Sequence, residues 1–218
     1  MGALRQHNTE WQGWQLEAIN ASLEGASPRT IALWALAQRL PTMVSTSFGR
    51  DAAALLHLVS SLAPAMPAVW VDTGFASAET RDFAHQLTER LDLNLQTYRP
   101  AQLAISVLHQ FGVTDPLDLS DADREAFVEQ VKLQPFQRAV DEWQPKIWLT
   151  GIRAEETEFR RGLAPVTLDE RGILKVAPFF AAGQSEVEQY LAEHALPRNI
   201  GYFDPTKPAQ DQECGLHR

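Results

Sequence analysis

The sequence predicts an α/β fold with a mostly parallel central sheet. From residue 42 onward short apolar segments alternate with amphipathic ones, which is the order of successive βαβ units. Residues 68–72 are apolar almost throughout, as expected for a strand that is covered on both faces. Apolar residues make up 44% of the 218 residues and charged residues 22%, a mixture typical of globular domains.

Two helices are predicted before the first strand. Thr9-Glu10-Trp11-Gln12 has the pattern of a capping box for a helix that ends near Leu23. Ser27-Pro28 supplies an N-cap and a first-turn proline for a second helix that ends near Leu40. The first helix is expected to gather its apolar side chains on one face, namely Trp11, Trp14, Ala18, Ile19 and Leu23.

The remaining elements follow from periodicity and capping signals. Strands are predicted at residues 42–45, 68–72, 94–98, 146–150, 166–168 and 173–176. Helices are predicted at residues 51–62, 79–91, 120–131, 135–143 and 185–194, the last opened by a capping box at Ser185 and Glu188. We therefore expect helices at 1–40 packed on an α/β domain at 41–196, followed by an irregular, mobile tail at 197–218.

Composition excludes several classes of function. The net charge of −9 argues against a broad nucleic-acid-binding surface. A single cysteine forbids an internal disulfide and the multi-cysteine sets of zinc and iron–sulfur sites, and it fits a reducing cytoplasm. Neither a signal peptide nor an apolar run long enough to span a membrane is present in the sequence.

The first candidate site is the loop Ser45-Thr46-Ser47-Phe48-Gly49-Arg50-Asp51 between a predicted strand and helix. Small hydroxyl residues and a glycine let backbone N–H groups approach an anion, and the following helix directs its positive end to the same place. The loop matches neither the Walker pattern nor Gly-x-Gly-x-x-Gly. It suits a phosphate group, and a plain strand-to-helix turn is the alternative.

Two more polar segments follow predicted strands. Asp72-Thr73-Gly74 ends one strand, and Gly151 ends another, with Arg153 and Arg160 soon after it. Ligands of open α/β sheets bind at the carboxyl ends of the strands, and arginine forks match phosphate and sulfate oxygens. The alternatives are that Asp72 only stabilises a turn, and that the arginines pair with neighbouring glutamates on the surface.

Cys214 is the only cysteine of the chain and lies four residues from its end, in Glu213-Cys214-Gly215-Leu216-His217. A thiol on a tail can be carried to a substrate and away again, provided that positive neighbours stabilise its thiolate. The alternative is an unreactive cysteine on a frayed terminus.

These motifs stand in the order found in the assimilatory sulfonucleotide reductases, the adenylyl-sulfate and phosphoadenylyl-sulfate (PAPS) reductases. The chain resembles this family from about Val44 to Arg218, and Gly201-Tyr202 also matches it. The resemblance implies the three-layer α/β/α fold of the adenine nucleotide α-hydrolase-like superfamily. Phe48 favours the reductases, since the ATP pyrophosphatases of that superfamily carry a second glycine there.

The resemblance also implies roles for single residues. Cys214 would attack the sulfate sulfur as a thiolate and become S-sulfocysteine, and thioredoxin or glutaredoxin would then release sulfite. His217 would contact the anion or stabilise the thiolate, unless it is merely a solvated terminal histidine. The implied substrate-binding positions are Ser45, Ser47, Phe48, Gly49, Asp51, Asp72, Thr73, Gly74, Lys132, Gly151, Arg153 and Arg160.

Two differences from the family bear on which type of reductase the sequence predicts. The paired cysteines of the iron–sulfur type are missing, so the cluster-free PAPS type without a bound cofactor is expected. Only residues 203–212 separate Tyr202 from Glu213, where relatives have a longer polar segment. The alternatives are a paralogue that uses adenylyl sulfate, an adenylating or sulfur-transfer enzyme of the ATP-pyrophosphatase kind, and a non-catalytic nucleotide-binding protein. A homodimer through the N-terminal helices is also allowed.

Overall fold

A central sheet of six strands organises the computed structural model, which describes residues 11–204 and 206–207. The strand order is β3-β2-β1-β4-β6-β5, and every neighbouring pair is parallel except β5 with β6. The predicted mostly parallel sheet is thus confirmed. The strands are β1 (Thr42–Thr46), β2 (Ala68–Val71), β3 (Leu95–Tyr98), β4 (Ile147–Leu149), β5 (Val166–Leu168) and β6 (Leu174–Val176).

Helices cover both faces of this sheet and complete a three-layer α/β/α arrangement. The helices of the described residues are α1 (Gly13–Ser22), α2 (Pro28–Ala37), α3 (Ala52–Leu62), α4 (Ala78–Leu91), α5 (Ala104–Gln110), α6 (Asp121–Val128), α7 (Gln134–Trp143), α8 (Glu158–Arg161) and α9 (Gln184–Glu193). None of them is long and apolar enough to cross a membrane.

Side-chain alternation along the strands supplies a core on each face of the sheet. Met43 and Trp148 point to the face covered by α7, where Trp148 packs on Phe136 with ring centroids 4.7 Å apart. Val44 and Leu149, one position further along the same strands, point to the opposite face and join the core formed by α2, α3, α4 and α9. Strands buried on both faces explain the uninterrupted apolar runs of the sequence.

The first two helices pack against this domain, with one correction to the predicted apolar face of α1. Leu23 is buried, and Trp11 and Ile19 pack on the core as predicted. Trp14 is 67% exposed and Ala18 is exposed as well, and Leu16 takes the inward position instead. The inward face also carries Asn20, whose side-chain amide donates to the Val166 carbonyl (2.8 Å) and accepts from its N–H (3.0 Å). The pattern of apolar residues does not predict these two hydrogen bonds between α1 and β5, because they are made by a polar side chain. The helix begins at Gly13 with Gln12 as its N-cap, later than the predicted capping box implied, and the predicted cap Thr9 itself lies outside the described residues.

The capping box predicted for α9 at Ser185 and Glu188 is wrong. The helix begins at Gln184, and the Gly183 N–H donates to the Glu186 carboxylate at 2.8 Å. Glu188 is engaged elsewhere, because its carboxylate accepts from Arg198 Nη1 at 2.9 Å. The residue that the local pattern assigned to the cap therefore forms an ion pair with Arg198, ten positions further along the chain.

Helices α6 and α7 form one continuous helix that is interrupted by a π turn at Glu129–Leu133. The sequence predicted two separate helices with a break before Pro135. In a regular α-helix the proline ring would clash with the carbonyl four residues earlier. The wider π turn, in which the Gln134 N–H bonds to the Glu129 carbonyl, lets the helix continue through this position.

A cluster of two histidines and a tyrosine joins α3 to the end of α9. His57 Nδ1 lies 2.9 Å from the Tyr190 hydroxyl, and the rings of His57 and His194 have centroids 4.4 Å apart. Burial lowers the pKa of His57, and the nearby charges of His194 and Arg90 lower it further. The folded state therefore binds the His57 proton less readily than the unfolded state does.

We expect this cluster to make the fold less stable in mild acid. Because the pKa of His57 is depressed, its contribution to stability is lost as pH falls through its unfolded value of about 6.5. Urea denaturation at pH 7.5 and 5.5 should show a smaller difference between the two midpoints for His57→Gln than for the wild type. His85→Gln, at an exposed histidine, is the control. An unchanged pH dependence in His57→Gln would contradict the assignment.

Candidate active site

The three polar segments singled out in the sequence meet at one edge of the sheet. They follow β2, β1 and β4, which are adjacent and mutually parallel. Because the carboxyl ends of parallel strands lie at the same edge, residues 45–51, 72–74 and 151–153 surround one location. It is the location at which open α/β sheets bind their ligands.

The loop after β1 places the Phe48 side chain in the core. The ring is fully buried and meets Trp70 edge-on, with centroids 5.2 Å apart. Its backbone adopts φ of +52°, and its N–H bonds to Thr46 Oγ1 at 2.9 Å. Among the implied substrate contacts, Phe48 can therefore contribute only through its backbone, and its side chain holds the loop to the sheet.

The two serines and the glycine of the loop have different environments. Ser45 Oγ accepts from Trp148 Nε1 at 2.8 Å, so this hydroxyl bonds to β4. Ser47 is exposed at the edge of the sheet. A Cβ atom on Gly49 would lie 3.6 Å from the Tyr202 ring, which shows how closely that ring covers the loop. Ser47 and the backbone at Gly49 are the parts of the loop best placed for a ligand.

Asp51 links three segments of the site. Its Oδ1 accepts from Arg198 Nε at 2.9 Å, and its Oδ2 lies 3.5 Å from Arg153 Nη2 and 3.3 Å from Gln184 Nε2. Asp51 precedes α3, but its side chain makes no capping bond there. The carboxylate instead ties the β1 loop to the β4 loop and to the segment after α9.

The segment after β2 is built around a buried carboxylate. Asp72 Oδ1 accepts from the Gly74 N–H at 3.1 Å, and Oδ2 accepts from Arg99 Nε at 3.0 Å. Gly74 has φ of +90° and a Cβ there would lie 3.2 Å from Ala104, so this turn requires glycine. Thr73 Oγ1 accepts weakly from the Phe75 N–H at 3.4 Å. Asp72 thus stabilises the turn, as the alternative to a ligand contact proposed. It also forms an ion pair with Arg99.

Arg153 and Arg160 are buried and paired with carboxylates. Arg153 donates to Glu155 at 2.6 Å and to the Gln184 side chain at 2.7 Å. Arg160 donates to Glu156, and its N–H bonds to Thr157 Oγ1 at 3.2 Å. The pairing with glutamates that the sequence suggested is present; the two arginine side chains are buried, while their partners Glu155 and Glu156 are 44% and 35% exposed. Gly151 is exposed between β4 and these arginines.

Lys132 reaches the site from the π turn. Its ammonium donates to Asp204 at 2.7 Å and to Thr206 Oγ1 at 3.0 Å. Burial would by itself raise the pKa of Asp204, but the Lys132 charge and the hydrogen bonds from Lys132 and Thr206 lower it below its ordinary value. Asp204 is therefore an anion over the whole neutral range.

Two cavities open near this edge of the sheet. A cavity of about 40 Å³ is lined by Ser47, Thr73, Lys132 and Tyr202, among others, and lies within the site. A larger one of about 860 Å³ extends from Asp72 along the sheet face to Leu95, beside α4. The larger cavity contacts neither the 45–51 loop nor Lys132, so we assign the site to the edge where the three loops meet.

Several residues of the site were not predicted as such. Arg198 pairs with Asp51, and the buried Asn199 amide donates to the Phe48 carbonyl at 2.8 Å and to Thr80 Oγ1 at 2.9 Å. These contacts join residues more than a hundred positions apart, so no local sequence pattern predicts them. The family match at Gly201-Tyr202 was the one hint that this segment belongs to the site.

Cys214 and His217 lie outside the described residues, so their predicted roles concern a part of the chain for which no geometry is stated. Among residues 11–204 and 206–207, no group of three or more His, Cys, Asp or Glu side chains is arranged to hold a metal ion.

The fold and the site together define a three-layer α/β/α protein with a candidate ligand site at the carboxyl ends of adjacent parallel strands. A PAPS reductase from Candida auris, solved as a phosphate complex, has the same fold, with a TM-score of 0.74 at 23% identity over 89% of this chain and 94% of that one. The family model described as "Phosphoadenosine phosphosulfate reductase domain" matches residues 41–203.

Curated relatives agree with the family model. The phosphoadenosine 5′-phosphosulfate reductase of Synechocystis is 35% identical over 93% of this chain and 90% of its own length. The enzyme of the same name from Photobacterium profundum is 33% identical over 93% of this chain and 88% of its own length. The chain belongs to the phosphoadenosine phosphosulfate reductase family, the oxidoreductases that reduce sulfonucleotides in sulfate assimilation.

Proposed function

We propose that this protein reduces PAPS to sulfite and adenosine 3′,5′-bisphosphate, with Cys214 as nucleophile and thioredoxin or glutaredoxin as external reductant. The observation that carries the proposal is the meeting of three anion-suited loops on adjacent parallel strands, in a chain whose one cysteine stands in Glu-Cys-Gly-Leu-His. Membership of the family supports the same reaction.

In this proposal the phosphosulfate group is bound at the loop after β1. Ser47, the backbone around Gly49 and the N-terminus of α3 offer hydroxyl and N–H donors to its oxygens. The nucleotide lies between the turn at 72–74 and the exposed Gly151, over the ends of β2 and β4. Arg153, Arg160 and Arg198 supply positive charge from within their ion-pair network, and Lys132 adds charge at the same edge.

The proposed chemistry proceeds in two transfers. The Cys214 thiolate attacks the sulfate sulfur and forms an S–S bond, while the bond from that sulfur to the phosphate oxygen breaks and adenosine 3′,5′-bisphosphate leaves. A thiolate of the reductant then attacks the Cys214 sulfur, and sulfite leaves with the electron pair. The second thiolate of the reductant then attacks the mixed disulfide, which closes the reductant's own disulfide and releases the Cys214 thiolate, so that the reductant has supplied the two electrons that left with sulfite. His217 stabilises the thiolate or the anion in this scheme.

The proposal is tested by mass spectrometry of the intact protein after incubation with ³⁵S-labelled PAPS and no reductant. We expect one labelled sulfonate on Cys214, none on Cys214→Ser, and release of labelled sulfite when reduced thioredoxin is added. Adenosine 3′,5′-bisphosphate should still bind to Cys214→Ser, because the serine variant keeps the three loops. A wild-type protein that binds nucleotide but never acquires the sulfonate would overturn the mechanism.

Calorimetry distinguishes which of three candidate nucleotides the protein prefers to bind. PAPS, adenylyl sulfate and ATP are titrated into Cys214→Ser, which binds without turning over. Preference for PAPS over adenylyl sulfate would show that the 3′-phosphate is recognised. Preference for ATP, together with release of pyrophosphate by the wild type, would favour an adenylating enzyme instead.

A further inference from the structure

Asn199 makes three hydrogen bonds, two of which end on the loop after β1. Its side-chain amide donates to the Phe48 carbonyl at 2.8 Å and to Thr80 Oγ1 at 2.9 Å, and its N–H donates to the Arg50 carbonyl at 3.1 Å. A carbonyl only accepts, so the atom that faces Phe48 must be the amide nitrogen. Asn199 and Thr80 are each 3% exposed, so the two side-chain bonds lie within the protein.

These bonds determine which way the backbone of the loop faces. The peptides after Phe48 and after Arg50 are trans, and in a trans peptide the carbonyl and the next N–H point in opposite directions. Because both carbonyls point at Asn199, the N–H groups of Gly49 and Asp51 point away from it. Within the part of the chain that the structure describes, neither of these two N–H groups donates to a protein atom. The loop therefore holds two N–H donors ready for an anion.

The orientation of the peptide between Phe48 and Gly49 depends on the contact with Asn199. Phe48 has φ of +52°, a left-handed conformation that a residue with a side chain holds only where its surroundings enforce it. Gly49 has no Cβ atom, so it offers little resistance to rotation of the peptide. The buried ring fixes Phe48 to the core, and the Asn199 amide fixes the direction of its carbonyl.

We propose that Asn199 is a positioning residue for the substrate anion and acts through the backbone of the loop after β1. Its amide holds the Phe48 carbonyl away from the ligand, so that the Gly49 N–H faces the phosphosulfate group. Its own N–H does the same for the Arg50 carbonyl and the Asp51 N–H. Hydrogen bonds to an anion are stronger than those between neutral groups, so the direction of these donors governs affinity. The inference rests on the proposed function, since it assumes that this loop binds the phosphosulfate.

Two nucleotides isolate the contribution of the anion site. Adenosine 3′,5′-bisphosphate and adenosine 3′-phosphate differ only in the 5′-phosphate, so the ratio of their Kd values, measured by calorimetry, reports on the loop. Asn199→Ala removes the amide, and Asn199→Asp keeps its shape but has no donor for the Phe48 carbonyl. We expect the preference for the bisphosphate to fall at least about tenfold in both variants. The Kd of adenosine 3′-phosphate should stay within about twofold, because its contacts lie elsewhere in the site.

Asn20→Ala and Asn20→Asp are the matched controls. The Asn20 amide also donates to a backbone carbonyl, that of Val166 at 2.8 Å, but this bond joins α1 to the edge strand β5. Urea midpoints measure the stability that each substitution removes. We expect the Asn20 variants to lose stability and to keep the Kd ratio of the wild type. Asn199→Ala introduces no buried charge, so it carries the test if the aspartate variant does not fold.

Two patterns in the Asn199 variants would overturn the inference. One is an unchanged Kd ratio, and the other is an equal weakening of both nucleotides, which would make the residue merely structural. A wild type that binds the two nucleotides equally well would overturn both this inference and the placement proposed for the phosphosulfate. The expected Kd ratios, without sulfonation of Cys214 in the wild type, would support the positioning role and disprove the reaction alone.

Discussion

Replacing Phe48 by alanine is expected to lower the free energy of unfolding by about 3–5 kcal/mol, the range for deletion of a buried phenylalanine ring. The ring is fully buried and meets Trp70 and Phe83 edge-on, at centroid distances of 5.2 and 6.3 Å. Its removal leaves a cavity directly beneath the loop proposed to bind the phosphosulfate. Urea denaturation followed by tryptophan fluorescence measures the loss.

Phe159→Ala is the control for this substitution, because Phe159 is 49% exposed. Truncation of that ring should change the free energy of unfolding by no more than about 1 kcal/mol. If Phe48→Ala lost less than about 1 kcal/mol as well, the ring could not be the attachment of the loop to the core. A direct contact between Phe48 and the substrate would then be the better explanation of its place in the loop.

Substituting Arg153 by methionine is expected to destabilise the fold by about 3–5 kcal/mol and to weaken binding of adenosine 3′,5′-bisphosphate at least about tenfold. The guanidinium group is buried among the carboxylates of Asp51 and Glu155 and the amide of Gln184. Its loss leaves negative charges facing one another and releases the link between the loops after β1 and β4. Denaturation and calorimetry measure the two effects.

Arg161→Met is the matched control. Like Arg153, Arg161 pairs with a nearby glutamate, here Glu158, but both partners of this pair are exposed. An exposed pair of this kind contributes about 0–1 kcal/mol, so stability and nucleotide affinity should be nearly unchanged. Equal urea midpoints for the two variants would mean that burial does not distinguish the two arginines. The loop link would then be unsupported.

All six strands could be predicted from the sequence. β2 and β4 are covered on both faces and leave continuous apolar runs, whereas β3 and β5 are only partly buried and were predicted from the alternation of strands with helices and from the turn at 169–172. Boundaries differ by a residue or two, as at β3, which begins at Leu95. Helix α5 was missed, since it has seven residues and Leu103 makes no side-chain capping bond. Its formation depends on burying Val107 and Leu108 against α6, which is a tertiary effect.

The location of the site could also be predicted, because parallel neighbouring strands bring their carboxyl ends together. The partners of its charged groups could not. Asp51 meets Arg198 across 147 positions, and Lys132 meets Asp204 across 72, so neither pair leaves a local pattern. The same holds for Phe48, whose place in the loop motif suggested a ligand contact while its side chain packs in the core.

The π turn at Glu129–Leu133 has a consequence for how this helix can vary. A π turn contains one residue more than the α-helical turn it replaces, and each residue of an α-helix advances about 100° around the axis. Because the wider turn takes up this extra residue, deleting a single residue between 129 and 133 would restore a regular helix and leave its two halves in about the same orientation. Pro135 would then meet the carbonyl four residues before it, which the π turn now avoids. The length of these five residues is therefore constrained by the proline that follows them.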